Sequence, residues 1–290
     1  MPADLPHKPV HGVFARALRD IRSGRKRLPS MPDVAMRLRA AMQEDDVSIQ
    51  RVARVIQADA STAGYLIAVA NSPIYRGVQP ASSVEQGVTR LGLATTRNLV
   101  TAHAMRSMFQ TSSRSLAVAL RQTWVRSART AAFGALLASH CRDTRPDQAI
   151  LAGLVMDIGC LPLLRALDES PLNTDDQACV TASLDAYAPR TGAEILERWR
   201  FDGELVAVAR HRHQFDRVHD GDGDLADLSL VARRLALASE PCNLALPPVA
   251  KLPAFQRLEL GSLSVEDTIE MLMAAESELR EVMRLLGVSV

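Results

Sequence analysis

The sequence predicts an all-helical fold, and three observations carry that expectation. Ala, Leu, Val and Arg dominate while aromatic residues make up only 4%, a composition that suits helices better than strands. Apolar residues recur at three- and four-residue spacing in segment after segment, the period of a helix face. Start and stop signals bracket those runs, with Ser or Asp before them and Gly or Pro after. At 290 residues the chain is long enough to bury one substantial core or two modest ones without covalent staples.

The first element is an amphipathic helix over Val10 to Ile21, ended by Ser23-Gly24. After the basic turn Arg22 to Arg27, the prolines of Leu28-Pro29-Ser30-Met31-Pro32 forbid helix until Pro32 opens one that runs to about Glu44. Ser48 is placed to cap a helix with the apolar face Ile49, Val52, Ala53, Val55 and Ile56, and Asp59 to cap the next, Ala60 to Ala70. That helix stops at Asn71-Ser72-Pro73, because a residue before proline is pushed out of the α region. Ser82 and Glu85 have capping-box spacing, and Gly92 interrupts before a further helix to about Met108.

The polar, aperiodic segment Thr111 to Ser115 marks the internal boundary. Beyond it, helices are expected over Ser115 to His140, Asp147 to Met156, Asp176 to Asp185, Pro189 to Arg200, Glu204 to His211 and Leu225 to Ala238, and a last one over Ser264 to Leu286. The seam of that last helix is Ile269, Leu272, Met273, Glu276, Leu279, Val282, Met283 and Leu286, with Ser264 and Asp267 as its capping signal. It either packs onto its own domain or forms the seam of a homodimer. The expected organisation is an N-terminal helix at 1–21, a first helical lobe at 22–112, a second at 113–240 and a helical extension at 241–290. The loop His219 to Asp224 alternates aspartate and glycine, but position twelve counted from Asp220 is Val231, where a calcium loop needs glutamate.

A formal net charge of +1 gives no global field toward nucleic acid or an anionic membrane. All but three of the 34 basic residues are arginine, a chain-wide bias that says little about any one site. Cys141, Cys160, Cys179 and Cys242 stand far apart and read as small buried hydrophobes in a reducing compartment. There is no apolar leader at the start and nowhere an uninterrupted run of about 18 apolar residues, so a cytoplasmic protein without a membrane partner is expected.

Four fragments in order carry a resemblance. Leu28-Pro29-Ser30-Met31-Pro32, Ile56 to Ala63 around Asp59, Ala70-Asn71-Ser72, and Gly87-Val88-Thr89-Arg90-Leu91-Gly92 are similar to the HDOD family. Its pattern has a leucine-proline opening, a helix ending in Ala-Asn-Ser and a helix ending in Leu-Gly at these spacings. The likeness covers roughly Arg22 to Asp220. It implies a two-lobed helical fold, a regulatory role in bacterial signalling that often accompanies cyclic-di-GMP domains or response regulators, and a second lobe like the HD phosphohydrolase core. In that core, clustered His and Asp side chains hold divalent metals that activate water against phosphate.

The resemblance also implies that the metal site is gone. Arg126, in Trp124-Val125-Arg126-Ser127, occupies the first ligand position. Met156 replaces the histidine before Asp157, and Ala188 lies where a further histidine is usual. His211 survives from a His-His pair whose partner is now Arg212, and Arg233 stands at the last aspartate. Asp157 and His211 alone would hold Mg²⁺ or Mn²⁺ poorly; His103, His140 and His213 are the histidines left to compensate.

The first functional reading is therefore a non-catalytic module, without metal or cofactor, that acts on another signalling protein. A metal-dependent phosphodiesterase with an unusual site is one alternative. A nucleic-acid-binding regulator, resting on Arg22, Arg25, Lys26 and Arg27, is the other, and no aromatic residue interleaves those cations to stack bases. Arg126, Arg212 and Arg233 either close on Asp157 as an internal salt-bridge cluster or frame an anion pocket. Asp59, Asn71, Ser72 and Gly92 are expected to serve structure.

Overall fold

The computed structural model describes residues 9–43, 47–75, 77–172, 177–238, 240, 246–258, 270 and 275–288. The described residues are helical and contain no strand. In chain order the helices are α1 (Pro9–Arg22), α2 (Asp33–Ala41), α3 (Ile49–Gln57), α4 (Ala60–Ala70), α5 (Val84–Met105), α6 (Arg114–Ala138), α7 (Pro146–Val155), α8 (Cys160–Asp168), α9 (Gln177–Arg198), α10 (Gly203–Arg210), α11 (Leu225–Ala236), α12 (Pro253–Arg257) and α13 (Glu276–Leu285).

Local chemistry explains most of the boundaries. Ser48 accepts from the Arg51 amide, and Asp59 from the Thr62 amide at 2.6 Å. Helix α5 starts one residue later than its capping-box spacing suggests: Ser83 is the cap, accepting from the Gln86 amide at 3.2 Å, while the Gln86 side chain reaches back to Ser82 N–H at 2.8 Å. Gly92, at φ 77°, breaks α5 in a conformation other residues adopt only under strain.

Asn71 does more than end α4: its amide brackets Ala81, accepting from the backbone N–H and donating to the carbonyl, both at 2.8 Å. Ser72 donates to Val69 O at 2.7 Å. One expectation fails at α9, which is a single helix rather than two and carries Pro189 inside it. A proline there costs about 3 kcal/mol or more in a free helix. Buried residues on both sides, Cys179, Val180 and Ser183 before it and Ala193, Ile195 and Leu196 after it, hold the two halves in line. Helix α8, with its apolar Leu161, Leu163 and Leu164, is an element the periodicity reading left out.

α6 runs through the middle, with α7 and α11 laid against it. The crossing with α7 is tight because its residues are small: a Cβ on Gly153 would lie 2.5 Å from the Ala131 amide nitrogen, and one on Gly134 would touch Ala149. α2, α3 and α4 gather around α5, and α5 reaches α7 through Asn98, which donates to the buried Asp147 at 2.7 Å. The largest apolar cluster runs from Val10 to Val288, and a second, with Leu137, Leu228, Leu230 and Val231, lies beside it.

Helix α1, set apart in the sequence reading, packs on α8 and α9, with Phe14 and Ile21 buried. Of the last helix, Ser264, Asp267, Ile269, Leu272 and Met273 lie outside the described residues. Val282, Met283 and Leu286 are buried in the main core as α13 packs on α6, and the Trp124 indole donates to Leu286 O at 3.2 Å. The stretch Pro146–Asp168 is long and apolar enough to cross a bilayer, yet 89% of that window is buried and the turn at Met156 to Gly159 breaks it. It is the core of this fold.

Candidate functional site

Asp157 sits in the turn between α7 and α8, where Ile158 N–H bonds back to Val155 O and Cys160 N–H to Asp157 O. The turn is pressed into α9: a Cβ on Gly159 would collide with the Ala188 carbonyl and the Gly192 amide. This close approach fixes Asp157 in the interior, 0% exposed.

Both carboxylate oxygens are fully used. Oδ1 accepts a fork from Arg212, Nε at 2.9 Å and Nη2 at 2.6 Å. Oδ2 accepts Ser127 Oγ at 2.9 Å and Nη2 of Arg233. Burial alone would raise the Asp157 pKa, but Arg233 and Arg212 outweigh it and hold the carboxyl far below its ordinary 3.8. Arg212 and Arg233 are themselves 2% and 0% exposed. Arg233 also donates Nε to the Met156 thioether at 3.3 Å, and its Nη1 is buried without a partner.

A second ring surrounds the first. Asp185 of α9 accepts from Arg212 Nη1 and His213 Nδ1, both at 2.8 Å. Burial, then the Arg212 charge, push the His213 pKa down to about 4. The ring is therefore neutral near pH 7, with its proton on Nδ1 toward the carboxylate. Nε2 is left as a buried acceptor without a partner.

Arg126 departs from expectation. It pairs with Glu240, at 3.1 and 2.9 Å, and not with Asp157, which takes the neighbouring Ser127 instead. His211 bonds to Gln214 at 2.8 Å on the wall of a cleft of about 500 Å³ shared with Arg126, Asp185, His213 and Glu240. Ala188 is buried, contributing its carbonyl to the contact with Gly159. The three arginines consequently do not converge on an open anion pocket, since Arg212 and Arg233 are closed on Asp157.

The residues do not fit a divalent metal. The guanidiniums of Arg212 and Arg233 occupy the carboxylate a metal would share, the Met156 thioether, the Ala188 methyl group and the Arg126 guanidinium stand at other expected ligand positions, and His211, the imidazole kept there, is bonded to Gln214. Of the two arrangements the sequence leaves open for Arg126, Arg212 and Arg233, closure on Asp157 holds for the latter two, whereas Ser127, Asp185, Glu240 and the placement of His213 carry no signal beyond their residue types.

A second buried aspartate escaped notice altogether. Asp227 on α11, 0% exposed, accepts from Arg217 at 2.7 Å, from Arg257 Nε and Nη2 at 3.1 Å, and pairs with His219 Nε2 at 2.8 Å. His219, Asp224 and Asp227 have donor atoms close enough to share a cation. Arg217, bonded to both aspartates, already supplies the positive charge. Asp224 is spent as the α11 N-cap, accepting from the Asp227 amide at 2.8 Å, so the alternating aspartates are a helix start.

In the basic turn, Arg22 pairs with Glu194, Arg25 with Asp20 and Lys26 with Glu169. That largely neutralises the feature on which nucleic-acid binding rested.

Known proteins place this geometry. A candidate metal-dependent phosphohydrolase of Shewanella amazonensis SB2B superposes with a TM-score of 0.80 at 22% identity, over 96% of this chain and 99% of its own. An HDOD domain protein of unknown function from Geobacter sulfurreducens gives 0.65 at 19% identity over 96% and 98%. A candidate signal transduction protein of Marinobacter aquaeolei VT8 gives 0.56 at 19% identity over 96% of this chain and 66% of its own. At these identities the likeness is one of fold. Among curated proteins none matches. The HDOD domain model matches residues 28–215, most of the chain, and with the four ordered fragments and the helical fold in agreement, the chain belongs to the HDOD family.

Proposed function

We propose that this chain is a non-catalytic module of bacterial signal transduction that works in the cytoplasm by docking onto another signalling protein. The observation that carries this reading is the closure of Asp157. The one carboxylate left from a metal-binding set is buried and paired on both oxygens with guanidiniums, so substrate phosphate and metal both lack a seat. Family membership and the likeness to a candidate signal transduction protein support a regulatory setting. A connection to cyclic-di-GMP or two-component circuits is the natural one for such a module.

The near full-length likeness to a candidate metal-dependent phosphohydrolase keeps a second reading in view, hydrolysis at an unusual site. One experiment separates them. Purified protein is expected to carry no stoichiometric metal by mass spectrometry. With added Mn²⁺ or Fe²⁺ it is expected to leave cyclic dinucleotides and bis-p-nitrophenyl phosphate intact. Metal-dependent turnover that Asp157→Asn abolishes, in protein whose circular dichroism is unchanged, overturns the proposal.

A further inference from the structure

The segment Leu28 to Met31, α2 and the end of α9 enclose a groove of about 620 Å³. Among the described residues four guanidiniums line it, those of Arg27, Arg39, Arg198 and Arg200, and no carboxylate does. Of the described acids nearby, Glu197 pairs with Arg210 and Asp202 is the N-cap of α10. Among the described residues Arg27, Arg198 and Arg200 have no ion-pair partner, whereas Arg22, Arg25 and Lys26, next to Arg27, do. In a chain of net charge +1, this is a local excess of positive charge.

The groove also has an apolar component. Met36 is 44% exposed, and the half-buried Leu28 and Trp199 lie beside it. An exposed methionine adapts to varied apolar side chains.

Arg200 adds an independent sign. It sits at φ 56°, the single described non-glycine residue with positive φ, just past the end of α9. Phe201 N–H closes the terminus onto Leu196 O at 3.0 Å. Glycine is the usual occupant of such a position, because a side chain there is strained. The backbone needs no arginine at this point, since Arg39 supplies the donors to the Trp199 and Arg200 carbonyls. A strained non-glycine residue whose side chain has no described ion-pair partner points to a role outside the fold.

We propose that this groove docks an acidic peptide segment of a partner protein. Arg27, Arg198 and Arg200 take its carboxylates, and the surface formed by Met36, Leu28 and Trp199 takes an apolar side chain between them. Peptide is favoured over single-stranded nucleic acid because the aromatic ring is not free to stack on bases: the Trp199 indole donates to Pro29 O at 3.0 Å and its ring packs on Phe201. The inference deepens the docking reading and rests on it only for the existence of a partner.

The test is selection of a random library of peptides about twelve residues long on the full chain, followed by titration of an enriched peptide. Enriched sequences are expected to set two or more acidic residues around a Leu, Ile or Phe. Arg198→Ala combined with Arg200→Gly is expected to weaken binding at least about tenfold. Arg200→Gly alone should hold or raise the thermal midpoint, since glycine relieves the strained φ, which separates lost binding from lost folding.

Enrichment without acidic residues overturns the proposal, as does equal affinity in the double variant. Loss of oligothymidylate binding in that variant, in place of peptide binding, overturns it in favour of nucleic acid. Metal-dependent hydrolysis with acidic-peptide binding intact would instead overturn the non-catalytic reading and leave the groove standing.

Discussion

Asp157 and Asp227 are both 0% exposed aspartates clasped by two arginines, yet they are built from different parts of the chain and in different dielectric settings. Asp157 is held by Arg212, after α10, and Arg233, on α11, whose side chains are 2% and 0% exposed. Asp227 is held by Arg217, Arg257 and His219, whose side chains are 10%, 17% and 24% exposed. In the first cluster the protein alone must satisfy every charge; in the second, water shares the task. On the non-catalytic reading proposed above, only the first lies at positions the family resemblance implies for a metal site. Buried ion pairs of similar appearance thus occur both at the turn between α7 and α8 and in the loop before α11, and burial alone does not tell their roles apart.

The largest expected effect is at Asp157. Asp157→Asn removes the charge that balances two sealed guanidiniums and should cost about 3–5 kcal/mol, read as a shift in the urea midpoint. Combining it with Arg233→Met should recover part of that loss, because the second cation then no longer stands unpaired. Asp227→Asn, with solvent able to reach its arginines, should cost less, about 1–3 kcal/mol by the same measurement. If Asp227→Asn proves the more damaging, the solvent-sharing distinction fails.

The histidines of the two clusters should titrate in opposite senses. The folded-state pKa of His213 is depressed to about 4 against an ordinary 6.5. The unfolded chain therefore binds its proton first, and stability is full above about pH 6.5 and falls toward about pH 4, by up to about 3 kcal/mol. Below that, Asp185 and Asp157, whose pKa values are lowered from 3.8, withdraw their own contribution. His219 behaves oppositely. The hydrogen bond to Asp227 raises its pKa, so its contribution is present below pH 6.5 and is lost as pH rises through the folded value. NMR titration should place the His213 ring below and the His219 ring above 6.5, and His213→Asn should flatten the acid limb of the stability curve.

The smallest effect is expected from Arg126→Ala. Its pair with Glu240 is partly solvated, 27% and 21% exposed, and should be worth about 1 kcal/mol or less. A larger loss would mean that the Glu240 segment depends on this contact for its position.

Much of this was legible in the chain. Periodicity placed nearly every helix, because apolar faces at Ile49 to Ile56 or Ala60 to Ala70 obey helical spacing with no help from distant residues. Position within a motif gave Asp157 and pointed to Arg212 and Arg233. What stayed hidden depends on crossings between elements. Ser127, Asp185 and Glu240 reach the site through the relative rotation of α6, α9 and the segment after α11, which no local pattern encodes. Asp227 lay outside every motif, and its arginines arrive from ten residues before it and thirty after. Pro189 misled because the local rule was right for a free helix and packing overrode it.

Arg233 carries a last consequence, for where the molecule can be cut. The HDOD match ends at 215, yet the guanidinium that completes the ring around Asp157 arrives from residue 233, and Phe14 and Ile21 cover α8 and α9 from before residue 28. A fragment trimmed to the matched boundaries would leave Asp157 one cation short and strip apolar cover from two sides. What is recognisable by descent is thus smaller than what can stand by itself. A domain swap or fusion should carry residues 9–288 across with it, because Val282, Met283 and Leu286 of α13 are buried in the same core.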